Sequence, residues 1–120
     1  MNGLLSAMYS ALTSAGLTVY SKVPDNTPPP YAVIGEYTQN EWDTDGLTGF
    51  NITATVHTWS TSASMSQING MMNSVYAALH RADLTVTGLI GIDFESSDLM
   101  RDADGVHLHG IQRFRVYIRG

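Results

Sequence analysis

The chain has 120 residues, 43% hydrophobic and 14% charged, with a formal net charge of −5 and no cysteine. That length fits a single domain over residues 1–120, able to bury roughly 65% of its unfolded surface without staples. The missing cysteines exclude a disulfide framework and thiolate metal sites, and the acidic balance argues against a protein that grips nucleic acid over its whole surface.

Residues 1–20 carry no charged side chain, yet they lack the basic start and continuous apolar run of a secretory signal. Leu4, Leu5, Met8, Tyr9, Leu12 and Ala15 recur at spacings of three and four, which predicts an amphipathic helix with Asn2 as N-cap and Gly16 as its stop. Thr18–Ser21 reads as a short extended piece. All four prolines fall within Val23–Pro30, a stiff surface loop. Tyr31–Thr38 reads as a strand, and Gln39–Gly49, with Glu41, Trp42, Asp43 and Asp45, as a long hairpin loop.

Phe50–Trp59 alternates cleanly: Phe50, Ile52, Ala54 and Val56 face one way, and Asn51, Thr53, Thr55 and His57 the other. Ser64 and Gln67 fit a capping box, followed by Ile68, Met71, Met72, Val75, Tyr76 and Leu79 at helical spacing, with an end near Arg81. Leu84–Ile90 has no clear period. Ile92–Met100 and Gly110–Arg119 are the final strands. The expected fold class is α+β: a two-layer sandwich with a mainly antiparallel sheet of about four strands and two helices on one face. That face is lined by Phe50, Ile52, Phe94, Phe114 and Val116. No stretch of about 18 apolar residues exists, so no membrane span is expected.

Chemistry-bearing residues are sparse. His107 and His109 lie near Asp102 and Asp104, but i, i+2 histidines at a loop edge without a third ligand at motif spacing do not make a metal site. Asp102-Ala103-Asp104-Gly105 resembles the opening of a calcium loop without its closing glutamate. It suits a three-residue hairpin loop better. No Gly-x-Ser-x-Gly elbow or phosphate-binding glycine loop occurs, and Asp93, Glu95 and Asp98 are explained by a polar sheet face. No catalytic, cofactor or metal residue is therefore assigned.

Two features point to contacts instead. Trp42 sits in the acidic loop, away from both helix-facing patterns, and tryptophan is enriched among binding hot spots. In the last strand Gln112, Phe114, Val116 and Ile118 share one face and Arg113, Arg115, Tyr117 and Arg119 the other. A three-residue loop over Ala103–Gly105 places Phe94 opposite Phe114, Glu95 opposite Arg113 and Asp93 opposite Arg115. The arginine face is then a mixed-charge surface rather than a bare basic patch, with Arg119 as its freest charge. The interface candidates are Glu41, Trp42, Asp43, Asp45, Arg113, Arg115, Tyr117 and Arg119.

Three segments in order carry a resemblance: Val23-Pro24 with Pro30–Glu36, Val56-His57-Thr58-Trp59-Ser60 before a helix, and Leu99–Gly105 followed by His109–Val116. Together they resemble the small tail-completion or tail-terminator proteins of long-tailed bacteriophages and of phage-like gene transfer agents. The likeness spans nearly the whole chain, with Leu84–Gly91 matching loosely. It implies a structural virion protein with no catalytic residue and no cofactor, assembled in the host cytoplasm and located at the head-proximal end of the tail. It further implies a homo-oligomeric ring, expected to be a hexamer. Its partners would be the tail tube protein and a head-completion or neck protein, with DNA passing through without specific binding and no membrane involved. The competing readings are a small monomeric adaptor, separable by particle size, and a small metal-dependent hydrolase using His57, His107 and His109, separable by metal analysis.

Overall fold

The structure, a computed structural model, describes residues 3–24, 26–41, 49–61, 65–101 and 107–119. Two helices, α1 (Leu4–Ser14) and α2 (Met65–Leu79), accompany five strands: β1 (Val19–Tyr20), β2 (Tyr31–Glu41), β3 (Gly49–Trp59), β4 (Leu89–Arg101) and β5 (Leu108–Arg119). The strand order is β1-β2-β3-β5-β4. β1 pairs with β2 in parallel and the other pairings are antiparallel, so the open sheet is mixed. The expected α+β class holds; the fifth strand and its parallel pairing are the differences. The short extended piece near Thr18–Ser21 supplies β1, too brief to register as a strand by alternation.

Helix α1 buries Leu4, Met8 and Leu12, one residue per turn on one stripe. Its N-cap position is Gly3, in the left-handed region at φ 78° with no side-chain cap bond, rather than Asn2, which lies outside the described residues. At the other end Gly16 takes φ 92°, and the Gly16 and Leu17 amides donate to the Thr13 and Leu12 carbonyls, closing a Schellman-type stop. Helix α2 buries Ile68, Val75 and Leu79. Gln67 reaches back to Thr61, whose amide donates to Gln67 Oε1 at 2.7 Å and whose hydroxyl donates at 3.0 Å. The tie therefore closes on Thr61, while Ser64 lies outside the described residues.

The core joins Leu4, Met8 and Leu12 of α1, Val75 and Leu79 of α2, and the alternate strand residues Ile52, Ala54, Val56, Ile92, Phe114, Val116 and Ile118. The five expected core-facing residues lie in this layer, Phe50 and Phe94 at its edge. Gln112 and Thr58 are buried polar residues on this face; the Gln112 side-chain amide donates to the Met72 carbonyl of α2 at 3.0 Å. In β5 burial alternates at every residue from Leu108 to Ile118, as a strand central to a sheet with one covered face requires.

Three irregularities alter the expected registers. β2 carries an extra residue between Ile34 and Tyr37, so Gly35 and Glu36 together oppose Thr55. β4 carries Ile90 as an extra residue between Leu89 and Gly91, and Glu95 as another between Phe94 and Ser96. β2 also runs on to Glu41, which pairs with Phe50. Gln39–Glu41 thus belong to a strand, not to the expected long loop, because pairing with β3 continues to satisfy their backbone groups.

Candidate interface on the open sheet face

The helices cover one face of the sheet; the other is open. β2 contributes Tyr31, Glu36 and Thr38 to it, β3 contributes Thr53, Thr55, His57 and Trp59, and β5 contributes the odd-numbered residues His109–Arg119. β4 adds Asp93, Glu95, Ser96, Asp98 and Met100. The sequence places Arg113, Arg115, Tyr117 and Arg119 together here, and the structure agrees on the face.

The partners differ from expectation. Phe94 does oppose Phe114 and Asp93 opposes Arg115, but the bulge at Glu95 sets Ser96 opposite Arg113. Arg115 pairs with Glu95, not with Asp93. Arg113 donates to Asp98 at 2.9 Å instead of meeting Glu95, and Asp93 lies 3.5 Å from Arg81 at the end of α2. The Glu95 carboxylate beside Arg115 holds that guanidinium still more firmly protonated, with Tyr117 contributing. At the hairpin end Arg101 pairs with Leu108, one residue out of the register that a three-residue loop demands. The loop residues Asp102 and Asp104 lie outside the described residues. Arg119 is exposed at the strand end, where its amide donates to the Gly88 carbonyl at 2.7 Å.

At the other end of the same face lies a cluster that sequence reasoning missed. Glu36 Oε1 is 2.8 Å from His57 Nε2, and His57 Nδ1 is 2.8 Å from His109 Nε2. The His109 ring stacks on Trp59 with centroids 3.6 Å apart and planes 9° off parallel. Trp59 in turn meets Tyr31 at 6.5 Å, and Tyr31 meets Tyr20 at 5.8 Å. An aromatic row therefore crosses β1, β2, β3 and β5. The bulge turns Glu36 toward His57, and Gly35 leaves room for the imidazole: a Cβ there would lie 2.6 Å from His57 Cδ2. The hydrogen bond from His57 lowers the Glu36 pKa despite some desolvation. The available signal was the glycine inside an apolar strand, which marks bulges. A groove of about 390 Å³ runs beside the cluster, lined by Glu36, Thr38, Thr53, Thr55, His57 and Arg113 among others.

His80 is occupied elsewhere; its Nδ1 accepts from the Phe94 amide at 3.0 Å. Among the described residues no group of three or more His, Asp or Glu is arranged to hold a metal ion. No described helix is long and apolar enough to cross a membrane.

The helical layer has a different character. Neither α1 nor α2 contains Asp, Glu, Lys or Arg, and Leu5, Tyr9, Met65 and Tyr76 are exposed on it. Of the loop candidates, Glu41 is exposed at the end of β2, while Trp42, Asp43 and Asp45 lie outside the described residues.

The fold is thus an α+β sandwich with an open sheet face of paired ions and two helices that carry no charged side chain. The family model for tail completion protein gp17 matches residues 4–119, and the chain belongs to this family of virion tail proteins. Among solved structures it is similar to a chain described as "Virion of native gene transfer agent (GTA) particle", at 20% identity and a TM-score of 0.86, covering 98% of this chain and 95% of that one. At that identity the likeness concerns the fold. No curated protein matches.

Proposed function

We propose that the protein caps the head-proximal end of the tail tube as a ring of copies, expected to be six, ending tube growth and offering the head or neck its docking surface. Family membership supports the tail role, and the charge-free helical layer is the observation that carries the assembly reading. Copies of a chain with net charge −5 repel one another. That penalty is least across the two helices, which carry no charged side chain of their own, Asp83 lying beside α1, and which expose Leu5, Tyr9 and Tyr76. We assign this layer to contact with a neighbouring copy.

The end of the β2–β3 hairpin is assigned to the tube. Residues from Glu36 to Glu41 are exposed throughout, and the hairpin continues into the segment with Trp42, Asp43 and Asp45. On the open face Arg113 and Arg115 already have carboxylate partners and Tyr117 bonds to Arg115, which leaves Arg119, exposed at the strand end, best placed for an outside contact. An acidic ring does not grip passing phosphates, as a DNA conduit requires.

Deleting residues 42–48 tests the reading, because the described strands end on either side of them. The deletion variant should fold, shown by an unchanged far-UV circular dichroism spectrum. It should fail to give capped tails of uniform length by electron microscopy when it replaces the intact chain. Normal tails from a folded variant would overturn the assignment.

A further inference from the structure

The helical side of the molecule carries two unlike apolar features. One is a hollow of about 400 Å³ between α1 and the β1–β2 side of the sheet, lined by Leu5, Ser6, Tyr9, Ser10, Ser21 and Ile34. None of these residues is charged, and Leu5 and Tyr9 are exposed. The other is a projection. Ile90, at the start of β4, is 51% exposed. It is the extra residue between Leu89 and Gly91, so it has no register partner on β5, and a bulge re-aims the side chain it carries. Around it lie Arg81, Asp83 and Asp93, with Arg81 and Asp93 3.5 Å apart. A lone exposed isoleucine is ordinary; its position relative to the hollow is what matters.

The two features sit on opposite flanks. Ala7, Ala11 and Ser14, on the next flank of α1, line a groove with Asp83, Leu84 and Thr85. Asp83 in turn lies beside Ile90. The hollow, α1, residues 83–85 and Ile90 thus follow one another across the layer, and no residue lines both the hollow and the groove at Ile90. The strand order agrees, since β3 and β5 separate Ile34 on β2 from Ile90 on β4. A twofold contact would pair one patch with its own kind and leave the other bare. A head-to-tail contact uses both patches in every copy, and it closes into a ring when the rotation allows.

Charge favours the same pairing. Lys22, the single lysine of an acidic chain, is exposed next to Ser21 at the rim of the hollow. Asp83 is exposed beside Ile90. Knob and hollow are therefore flanked by opposite signs, which orients two copies that otherwise repel. We infer that Ile90 of each copy seats in the hollow over Leu5, Tyr9 and Ile34 of the next, as the knob of a head-to-tail contact between copies of this chain. The inference rests on the ring reading and adds which surfaces meet.

The chain has no cysteine, so thiol cross-linking reads the contact directly. Tyr9→Cys and Ile90→Cys are combined in one chain, which replaces the intact chain, and isolated tails are treated with a short bis-maleimide. Both positions are exposed, and circular dichroism checks that the fold is kept. Denaturing gels should show a ladder of multiples of the 13.0 kDa subunit, with mass spectrometry finding the two substituted positions joined. Neither single variant should cross-link to a copy of itself. If the double variant does not fold, Lys22→Cys with Asp83→Cys takes its place with the same expected ladder. Dimers from a single variant would reveal a twofold contact and overturn the inference. Ring-capped tails that give no ladder would also overturn it, while leaving the ring reading intact; tails capped by one copy would overturn both.

Discussion

Gly35→Ala isolates the geometry of the open-face cluster when its effect is compared in two backgrounds. In the intact chain the new Cβ would lie 2.6 Å from His57 Cδ2, 2.8 Å from His57 Nε2 and 3.6 Å from the Thr55 carbonyl oxygen. Only the imidazole contacts are impossible, and the imidazole is the movable end of a side chain. The ring swings away and takes with it its bond to His109 and its pair with Glu36. The first is a part-buried hydrogen bond worth about 1 kcal/mol. The second involves a carboxylate whose side chain is 66% exposed, and after solvent screening it contributes about 0.5 kcal/mol. Replacing a strand glycine by alanine returns about 0.5–1 kcal/mol of backbone entropy. The single substitution should therefore destabilise by about 0.5–1 kcal/mol.

In a His57→Ala background neither imidazole contact exists, and the same change should stabilise by about 0.5–1 kcal/mol. The two values differ by about 1–2 kcal/mol, a coupling well within reach of a double-mutant cycle. Urea unfolding followed by circular dichroism, at a pH where Glu36 is ionised, supplies all four corners. Equal effects of Gly35→Ala in both backgrounds would show that His57 does not lie over Gly35, and the bulge would lose its explanation.

Glu36→Gln should make stability less dependent on acid. The Glu36 carboxyl is held below its usual range, chiefly by the His57 hydrogen bond. Its contribution is therefore present above the ordinary carboxylate range and disappears as pH falls through the folded value. A Tm difference of roughly 2–4 °C at pH 6–7 should shrink as pH falls through and below the ordinary carboxylate range; a difference independent of pH would count against the pairing. Gly88→Ala should cost about 3 kcal/mol or more, since residue 88 has φ 82° and a Cβ there would meet the Arg119 carbonyl oxygen at 2.1 Å; a loss under about 1 kcal/mol by denaturant unfolding would refute it. Deleting Glu95 should be tolerated, because the ladder from Phe94–Phe114 to Ser96–Arg113 becomes regular without it. Cross-strand proton contacts between Phe94 and Phe114 should persist, and their loss in a folded variant would show that the registers are not joined as described.

The covered side of the molecule was legible because its signals are periodic. Leu4, Met8 and Leu12 repeat at the helical spacing, and Phe114, Val116 and Ile118 alternate along a strand with no extra residue. Burial rewards those spacings directly, so composition and position suffice. The pairing Phe94–Phe114 followed from the same constraint, since a slipped register would expose a phenylalanine. The open face lacks that constraint. No apolar side chain of the described residues is fully buried there to penalise an extra residue, so the partner of each arginine depends on local register, which a period-two reading cannot supply. Arg115 accordingly meets Glu95 and Arg113 meets Asp98, each one step from the simple expectation. The end of β2 is not legible in the sequence for a related reason: Gln39, Asn40 and Glu41 are polar, and their pairing with β3 keeps them extended.

Two of the extra residues share a logic. The outer strands β2 and β4 flank the inner pair β3 and β5, and each bulges at a glutamate, Glu36 in one and Glu95 in the other. Each bulge places a carboxylate beside a cationic or ionisable group of the inner pair, His57 on β3 and Arg115 on β5. A bulge also increases local twist and interrupts the run of ladder groups that an outer strand offers to other chains. For β4, whose outer edge no other strand covers, this matters most: a regular strand of 13 residues would be a template for uncontrolled addition. A subunit whose proposed role is to end a polymer needs contacts that stop after one set of neighbours. The Glu95 bulge interrupts that long free strand and Glu95 pairs with Arg115 on the open face, while the helices, which carry no charged side chain, stay available for packing.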